Sequence, residues 1–380
     1  MALASALSVP TSFVETLDAL LFQICEELQL TPARYDLAVQ RYESLNRILD
    51  GSGSPFRYYE PEIFPQGSMA LGTTVAPLSG PHDLDFVLQL SRDHQLIDPM
   101  KLIRALYEFL HEHGTYGSMT SLKNRCVRIE YADEFYMDVL PACRNGAIGG
   151  TCLKVPDRAV RDWTDSNPLG YVKWFKQRSK ILKIDRVLDR AAPLPEQQAV
   201  AEKDTLQLVV QLLKRWRDRY YSASPGLAPI SIVLTTLAGH SYAGERSISQ
   251  ALQSVLSGII TLIDASRQSG QKHLRVLNPS NEAEDLSERW DSNSVAYQWF
   301  ERGIRDLHGQ WSLLVSRGAS VNSELEALFG EPVKAVLRKR ASGVQAARLS
   351  GKLGVASSGL ITSGGSGVAS VRPNNFYGEE

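Results

Sequence analysis

Acidic side chains that stand inside apolar runs are the residues of this sequence that point to chemistry. Asp83 and Asp85 flank Leu84 in the segment HDLDFVLQL, and Asp138 stands in a later apolar segment, FYMDVLPA. Side chains alternate between the two faces of a strand, so Asp83 and Asp85 share one face while Leu84 and Phe86 share the other. One face therefore builds core, and the other holds two parallel carboxylates.

Two bare carboxylates on one strand face repel each other. At a separation of about 4 Å and an effective dielectric near 20, the repulsion costs about 4 kcal/mol. A divalent cation removes this cost, and Mg²⁺ prefers such hard oxygen ligands. A third carboxylate on a neighbouring strand completes a site for two metal ions of the kind used in phosphoryl transfer. We therefore predict Asp83, Asp85 and Asp138 as catalytic residues and ligands of two Mg²⁺ ions, with Mn²⁺ as a substitute.

A Gly-Ser pair precedes these aspartates and has the composition of a phosphate-binding loop. Gly67 lets the backbone approach a phosphate, and the two amides and the Ser68 hydroxyl are donors for its oxygens. Neither motif alone is specific. Gly-Ser is a common pair, and Asp-x-Asp on a strand edge is ordinarily a solvated face. The order of the motifs indicates a nucleotide site that includes Gln66, Gly67 and Ser68.

Composition limits the class of protein. The chain has 380 residues, 43% of them hydrophobic, and a formal net charge of −1. This length favours two domains. The near-neutral charge argues against a protein that grips long nucleic acid, although small nucleotides remain suitable ligands.

The four cysteines, Cys25, Cys126, Cys143 and Cys152, lie far apart in the sequence and form no Cys-x-x-Cys pair. They are expected to be buried thiols in a reducing compartment. The N-terminal residues lack a positive n-region, and no stretch has about 18 uninterrupted apolar residues. We therefore expect a cytoplasmic protein without a membrane association.

Hydrophobic periodicity changes along the chain and predicts an α+β organisation. Helical spacing over residues 11–49 indicates two helices or one kinked helix, and strand-like runs then alternate with a helix around residues 98–114. After Pro156 the periodicity is mostly helical, while the residues from Ser342 onward are rich in Gly and Ser. The predicted parts are a catalytic domain over 1–160, a helical domain over 161–340 and a flexible tail over 341–380.

The ordered motifs resemble the signature of polymerase-β-like nucleotidyltransferases, h-G-[GS], then [DE]-h-[DE], then a third acidic strand residue. Together with YDLAVQRYESLNRIL, SNPLGYVKWF and LLKRW, they are similar to the bacterial relatives of cyclic GMP-AMP synthase and oligoadenylate synthase over about residues 30–310. The resemblance implies a mixed sheet with helices, an oligoadenylate-synthase-like helical domain, and an active site in the cleft between them. It also implies a cyclic-oligonucleotide synthase of anti-phage defence.

The resemblance implies further residues for the donor triphosphate. Lys214 matches a helical lysine of the family, and Ser231 matches a serine that opens the next helix. Lys214 could equally be a solvated flank of an apolar stripe, and Ser231 a helix cap. The position at which many relatives stack an aromatic ring on a base is Ile232 here. Three aromatic residues are candidate substitutes for that ring: Tyr171, Trp174 and Tyr242.

A second set of polar residues has two interpretations. Four residues of SNPLGYVKWFKQR either line the cleft and counter substrate phosphates or belong to core and solvated surface: Asn167, Lys173, Lys176 and Arg178. Asn278 is expected in a structural turn before a helix. The resemblance further implies operon-encoded regulatory or conjugating partners that act through the C-terminal tail, although that tail ends in two glutamates.

Three hypotheses for function follow. The first is a Mg²⁺-dependent enzyme that joins NTPs, with ATP as first choice and GTP or a pyrimidine NTP as alternatives, into a cyclic di- or trinucleotide with release of pyrophosphate. The second is a transferase that acts on another acceptor, such as an RNA 3′ end, a protein or a small molecule. The third is a catalytically silent nucleotide-binding regulator.

Overall fold

The computed structural model describes residues 11–132, 134–179, 194–317 and 321–350, and the residue pairs 354–355, 361–362 and 369–370. The chain divides into two compact units, Met1–Ala319 and Ser320–Glu380. The α-helices of the first unit are α1 (Thr11–Glu27), α2 (Pro32–Leu49), α3 (Gly67–Leu71), α4 (Pro99–Glu112), α5 (Pro168–Ser179), α6 (Thr205–Tyr220), α7 (Ser231–Ser241), α8 (Ile248–Gln268), α9 (Arg289–Ser292) and α10 (Ser294–Arg317). Those of the second unit are α11 (Val321–Phe329) and α12 (Glu331–Leu349).

The strands of the first unit lie mostly in its N-terminal half. They are β1 (Glu62–Pro65), β2 (His82–Asp93), β3 (Thr120–Leu122), β4 (Val127–Tyr131), β5 (Phe135–Arg144), β6 (Leu153–Asp157), β7 (Asp162–Ser166), β8 (Leu277–Asn278) and β9 (Asn281–Asp285). The second unit contains β10 (Gly354–Val355), β11 (Ile361–Thr362) and β12 (Ala369–Ser370), which pair as a small sheet.

A mixed sheet carries the acidic segments identified from the sequence. Its order is β1-β2-β5-β4-β3, and β6 extends it from β5 and β7 from β6. β2 and β5 are parallel, whereas the other pairs are antiparallel. The prediction of two strands in NRCVRIEYADEFYMDVLPA is confirmed by β4 and β5.

The apolar face of the sheet is covered by α2 and α4. Alternate residues of β2, including Leu84, Phe86 and Leu88, belong to one large core cluster with Tyr42 of α2 and Leu106 of α4. Burying each such large side chain stabilises the fold by about 1.5–3 kcal/mol. The alternation predicted from the sequence is therefore what fixes the orientation of β2, and with it the face on which Asp83 and Asp85 lie.

Helices α6, α7, α8 and α10 form the helical part of the first unit. Helix α7 packs against α6 and α8, and α8 also packs against α10 and α1. Within the described part of the chain, α8 alone is long and apolar enough to cross a membrane by length and composition. Its buried residues, such as Leu252, Val255 and Ile259, face these neighbouring helices, as expected for a core helix.

Two boundaries differ from the sequence-based expectation. The sheet extends through β7 to Ser166, past residue 160, because β7 pairs with β6. The expected start of a flexible tail at residue 341 is wrong, since α12 continues to Leu349. The sequence VQAARL consists largely of good helix formers, which explains this extension. Apart from the three short strands, the rest of the expected tail lies outside the described residues. The four cysteines are free thiols, of which Cys25 and Cys143 are buried as expected, whereas Cys126 and Cys152 are only partly buried.

Candidate active site

The register of β2 and β5 brings the three aspartates together. Asp85 is paired with Asp138 across the parallel strands, and paired strands lie about 4.8 Å apart. Register partners project from the same face of a sheet, and Asp83 lies two residues before Asp85 on that face. Asp83, Asp85 and Asp138 therefore meet on one side of the sheet and line one cavity.

Arg128 of β4 is the counter-charge of this group. It is the antiparallel register partner of Asp138, and its Nε and Nη2 donate to the two oxygens of Asp138 at 2.7 Å each. Its Nη2 also lies 3.6 Å from Asp83 Oδ1. The guanidinium packs on the ring of Tyr136, 4.6 Å from the centroid. The carboxylates raise the pKa of Arg128, so that it stays cationic.

Asp85 has the most perturbed environment of the three carboxylates. Burial raises its pKa to about 7, the charges of Asp138 and Asp83 raise it as well, and Lys214 and Arg128 lower it. Ionising all three aspartates therefore requires more positive charge than Arg128 alone supplies. Three carboxylates on one face provide the hard oxygen donors that Mg²⁺ and Mn²⁺ prefer. In charge and in donor type, though not in their present arrangement, these residues suit a divalent cation.

The three carboxylates are not arranged around one point. Within the described ranges no group of three or more His, Cys, Asp or Glu side chains is arranged to hold a metal ion. At the aspartates, Arg128 engages both oxygens of Asp138. A metal ion would have to share Asp138 with Arg128 or displace it.

The Gly-Ser turn packs directly against Asp85. The backbone N–H of Gln66 donates to the carbonyl of Asp85 at 2.9 Å. Gly67 has φ +58°, and a Cβ placed on it would lie 2.8 Å from Asp85 Oδ2. Only glycine combines this left-handed backbone with so close an approach to a carboxylate. Ser68 follows in the first turn of α3 and lines the same cavity as the aspartates.

That first cavity has a volume of about 820 Å³. Its walls come from the sheet on one side and from α6, α7 and the preceding loop on the other. Of the residues predicted from the sequence, it brings together Gly67, Ser68, Asp83, Asp85, Asp138, Lys214 and Ser231. Gln66 instead lines an adjoining cavity. The interpretation of Lys214 as a solvated flank is wrong, because its side chain is only 6% exposed.

Lys214 enters the cavity wall from the buried face of α6. Its Nζ donates to both the carbonyl and the hydroxyl oxygen of Thr73, each at 3.1 Å. Burial lowers the pKa of Lys214 to about 7, and Arg217 lowers it as well, whereas Asp218 and Asp85 raise it. Ser231 is the first residue of α7, and its hydroxyl accepts a hydrogen bond from Arg217.

Lys214 belongs to a set of hydrogen-bond donors that we call the α6 donor row. Its members are Lys203, which lies just before α6, and four residues of the helix: Gln207, Gln211, Lys214 and Arg215. The row binds five carbonyls of Leu71–Ala76, a segment that consists of the last residue of α3 and the five residues after it. The hydrogen bonds run from Gln207 to Leu71 (2.8 Å), Lys203 to Gly72 (2.8 Å), Lys214 to Thr73 (3.1 Å), Gln211 to Thr74 (2.7 Å) and Arg215 to Ala76 (2.6 Å). The segment has no strand partner, so the row satisfies backbone groups that would otherwise be buried unpaired.

A second cavity of about 620 Å³ adjoins the first. Both are lined by Gly67, Asp85, Ile230, Ile232 and Arg289, among others. The second cavity adds aromatic and acidic walls, which include Trp163, Tyr171, Asp165, Glu284 and Glu288. The two cavities therefore meet at Asp85.

Two of the four candidate phosphate contacts around α5 donate to backbone carbonyls of the fold instead. Asn167 is 4% exposed, and its amide donates to the Ser280 carbonyl at 2.9 Å. Arg178 donates to the carbonyls of Gly239 and Tyr242 at 2.7 and 2.6 Å. Lys173 and Lys176 line neither of the two cavities described here. Asn278 accepts from the Ser280 N–H in a tight turn, as expected, but the turn joins β8 to β9 and does not precede a helix.

Of the three candidate aromatic residues, one lines a cavity and two do not. Tyr171 lines the second cavity, but it is 5% exposed and its hydroxyl is hydrogen-bonded to Thr236 at 2.8 Å. Trp174 and Tyr242 line neither of these cavities. Trp163 is an aromatic residue of the second cavity that the sequence motifs did not single out.

Sequence reasoning also missed Arg128, Arg217 and Arg289. Alternation in VRIEY places Arg128 and Glu130 on one strand face, which is a usable signal once β4 is known to pair with β5. Arg217 follows Lys214 at i+3 on α6, so helical spacing alone could have placed it beside Lys214. No comparable signal points to Arg289.

Comparison with known proteins gives consistent results. Residues 16–179 match the Second Messenger Oligonucleotide or Dinucleotide Synthetase domain. The chain is 30% identical over 370 residues to the c-di-GMP synthase of Roseivirga ehrenbergii, covering 96% of this chain and 97% of the relative. It is 27% identical over 320 residues to the cyclic dinucleotide synthase CdnG of Bradyrhizobium diazoefficiens, covering 78% of this chain and 75% of that protein.

The solved structure of Bradyrhizobium diazoefficiens CdnG, a CD-NTase in complex with GTP, has a TM-score of 0.70 and 24% sequence identity. The match covers 85% of this chain and 97% of the CdnG chain. The fold is therefore that of a nucleotidyltransferase with a mixed sheet and a helical part, as predicted. The near full-length match to the Roseivirga ehrenbergii protein shows the family. The chain belongs to the CD-NTases and is a cyclic-oligonucleotide synthase.

Proposed function

We propose that the enzyme joins two nucleoside triphosphates, with GTP as the first choice, into a cyclic dinucleotide. In each of two steps a ribose hydroxyl attacks an α-phosphorus, one phosphodiester bond forms, and pyrophosphate leaves. The relative named c-di-GMP synthase and the GTP complex of CdnG favour guanine. The sequence alone had favoured ATP.

The observation that carries this proposal is the position of the aspartates at the junction of two cavities. Asp85 lines both cavities, and Asp83 and Asp138 line the first beside it. A condensing enzyme must hold a donor and an acceptor nucleotide at the same time, with the reacting atoms close to the catalytic groups. Two adjoining cavities that meet at a carboxylate meet this requirement.

Asp83, Asp85 and Asp138 would hold the divalent ions, for which Mg²⁺ and Mn²⁺ are suitable. When bound, such ions neutralise charge at the triphosphate and lower the pKa of the attacking hydroxyl. The protein would keep the three carboxylates on one face through the β2–β5 register. Arg128 would balance their charge when no cation is bound.

In this proposal the donor triphosphate lies in the first cavity. Its oxygens would accept hydrogen bonds from the Gly67 and Ser68 amides, the Ser68 hydroxyl and the Lys214 ammonium. Ser231 and Arg217 line the same wall and already pair with each other. These groups would fix the α-phosphate beside the aspartates.

The acceptor nucleotide would lie in the second cavity. The Watson–Crick edge of guanine presents an N–H and an amino group, and both can donate hydrogen bonds to carboxylates. Asp165 and Glu284 are carboxylates in that wall, and Trp163 supplies a ring for stacking. This chemistry supports guanine over adenine at the acceptor position, because adenine lacks that pair of donors.

The direct test is a product analysis. The purified protein is incubated with Mg²⁺ and each NTP alone and in mixtures, and the products are identified by mass spectrometry after phosphatase treatment. We expect a phosphatase-resistant product with the mass of cyclic di-GMP from GTP alone. Linear products would contradict cyclisation, and products only from other NTPs would contradict the guanine preference.

Aspartate variants test the site. Asp83→Asn and Asp138→Asn should each reduce product formation by at least about 10³-fold, since each removes one charged ligand from the group. Asp162→Asn is the matched control, because Asp162 is exposed on β7 and lines neither of the two cavities. Substantial turnover by Asp83→Asn or Asp138→Asn would contradict the assignment.

The two other hypotheses make different predictions in the same assay. An enzyme that acts on another acceptor would release pyrophosphate from NTPs only when that acceptor is added. A silent regulator would show NTP-induced thermal stabilisation without consuming the NTP.

As its cellular role we propose cytoplasmic anti-phage signalling. Phage challenge of bacteria that carry the wild-type or the Asp83→Asn gene in its operon would test this role.

A further inference from the structure

Thr73 stands behind Lys214 in the wall of the first cavity. It is completely buried, and both its carbonyl and its hydroxyl oxygen accept from the Lys214 ammonium at 3.1 Å. An ammonium group has three N–H donors. The hydrogen bonds of Lys214 within the described residues account for two of them, both on the same residue.

The backbone around Thr73 is fixed from both sides. The carbonyl of Gly72 accepts from Lys203 at 2.8 Å, and the carbonyl of Thr74 accepts from Gln211 at 2.7 Å. The Thr73 N–H donates to the Ser68 carbonyl at 3.0 Å. Thr73 therefore cannot rotate away without breaking hydrogen bonds to α3 and to the α6 donor row.

A flexible lysine side chain gains from such an anchor. Lys214 has four rotatable side-chain bonds, and holding it in one rotamer costs up to about 2 kcal/mol of conformational entropy. Two acceptors on one rigid residue hold Nζ before any ligand arrives. Lys214 also lines the cavity that is lined by Ser68, Asp85 and Ser231.

We propose that Thr73 is a positioning residue of this enzyme, which holds the Lys214 ammonium in the cavity wall so that its third N–H is available to a substrate phosphate. This inference rests on the proposed function, because it takes the ligand of Lys214 to be the triphosphate of an NTP. It adds that the hydroxyl of Thr73 contributes to NTP binding without touching the NTP.

The test uses Thr73→Val, which keeps the carbonyl and the side-chain shape and removes the hydroxyl. We expect KM for GTP to rise about tenfold while kcat changes less than threefold, because the loss affects binding of the triphosphate in ground and transition state alike. Thr73→Ser retains the hydroxyl and should restore KM to within about twofold of wild type. If Thr73→Val fails to fold, Thr73→Ala removes the same hydroxyl without placing a methyl group where it was.

Thr74→Val is the matched control. Thr74 is the next residue of the same segment, and its hydroxyl contacts Met69 Sδ at 3.4 Å rather than Lys214. The same chemical change there should leave KM within about twofold of wild type. An equal rise in KM for Thr73→Val and Thr74→Val would mean that general packing of the segment is at work, and it would overturn the proposal.

A double-mutant cycle identifies the route of the effect. In a Lys214→Met background, Thr73→Val should add no further loss, because the group that it positions is gone. An undiminished tenfold effect in that background would overturn the proposal.

Equilibrium binding of GTP by calorimetry separates this inference from the proposed function. If the wild-type protein binds GTP but makes no product, the proposed function fails, and a weaker Kd in Thr73→Val still supports the role of Thr73. If the wild-type protein binds no NTP, both fail. A Kd for Thr73→Val equal to that of wild type overturns the inference alone.

Discussion

At the scale of single residues, Gly67 has the strictest local requirement in the site. Its φ is +58°, and a Cβ at this position would lie 2.8 Å from Asp85 Oδ2, which leaves no room for a side chain. Gly80 has a similar φ of +77°, but a Cβ there would have nothing within 4 Å. A non-glycine residue would be disfavoured by the backbone conformation at both positions, but only at position 67 would its Cβ also collide with Asp85.

We predict that Gly67→Ala reduces turnover at least about 100-fold, whereas Gly80→Ala stays within about threefold of wild type. Both variants should lose about 1–2 kcal/mol of stability, because a non-glycine residue is disfavoured in the left-handed region. Steady-state kinetics and denaturant unfolding measure the two effects. Equal loss of turnover in both variants would show that backbone strain, and not the contact with Asp85, is responsible.

Arg128 leads to a prediction about metal affinity. It lies within salt-bridge distance of Asp138 and Asp83 and so competes for the carboxylates that would hold a cation. Removing it in Arg128→Met should lower the Kd for Mn²⁺ about tenfold, which corresponds to about 1.4 kcal/mol. Titration followed by electron paramagnetic resonance, without nucleotide, measures this. Arg144→Met is the control, because Arg144 is exposed and pairs only loosely with Glu62 at 3.9 Å.

The opposite result for Arg128→Met is equally informative. Weaker Mn²⁺ binding would mean that Arg128 orients Asp138 for the cation instead of competing with it. The sequence placed the aspartates and the Gly-Ser pair in one site from their order alone. It could not place Arg128, because which residue of β4 faces Asp138 depends on a register that is set by long-range pairing.

At the scale of secondary-structure elements, strands and helices with strong periodicity were predictable. The alternation in β2 indicated both its core face and its acidic face, and α1, α2 and α4 were expected from helical spacing. The α6 donor row was not predicted, although its residues recur at helical spacing. Glutamine and lysine on a helix are usually solvated, and here their partners are carbonyls of a distant segment, Leu71–Ala76.

Lys203 of this row leads to a prediction about pH. Burial lowers the pKa of Lys203 in the folded protein from 10.5 to about 8. Between these values the unfolded chain binds more protons than the folded protein, so stability rises with pH there. From pH 7 to pH 9, Lys203 should contribute a gain of about 1 kcal/mol.

The measurement compares free energies of unfolding at pH 7 and pH 9 for wild type and Lys203→Met. Subtracting the pH dependence of the unfolding free energy of Lys203→Met from that of wild type removes the contribution of the other titratable groups. Lys173→Met serves as the control, because Lys173 is exposed and its removal should leave the pH dependence unchanged. An identical pH dependence in Lys203→Met and wild type would show that the Lys203 ammonium is as well solvated as in the unfolded chain.

At the scale of the whole molecule, two adjoining cavities predict a binding stoichiometry. A GTP analogue that cannot transfer its α-phosphate should bind the wild-type protein in a ratio near two, as measured by calorimetry with Mg²⁺. Trp163→Ala removes a ring from the second cavity, and Lys214→Met removes a cation from the first. Each should weaken one binding event at least about tenfold and leave the other nearly unchanged.

A ratio of one for the wild-type protein would contradict simultaneous occupation of both cavities. The second cavity could not have been predicted from the sequence, because its walls come from two distant parts of the chain, β7 with α5 and β9 with α9. Only the folded arrangement brings these elements beside Asp85.

The hydrogen bonds between the α6 donor row and Leu71–Ala76 also bear on how this enzyme can be recombined with its relatives. A chimera that exchanges the helical part would place foreign side chains opposite five carbonyls, three of them in buried hydrogen bonds and two in partly buried ones. Each unmatched carbonyl would cost about 1–3 kcal/mol. Successful exchange of product specificity between relatives would therefore require that α6 be transplanted together with the segment that it binds.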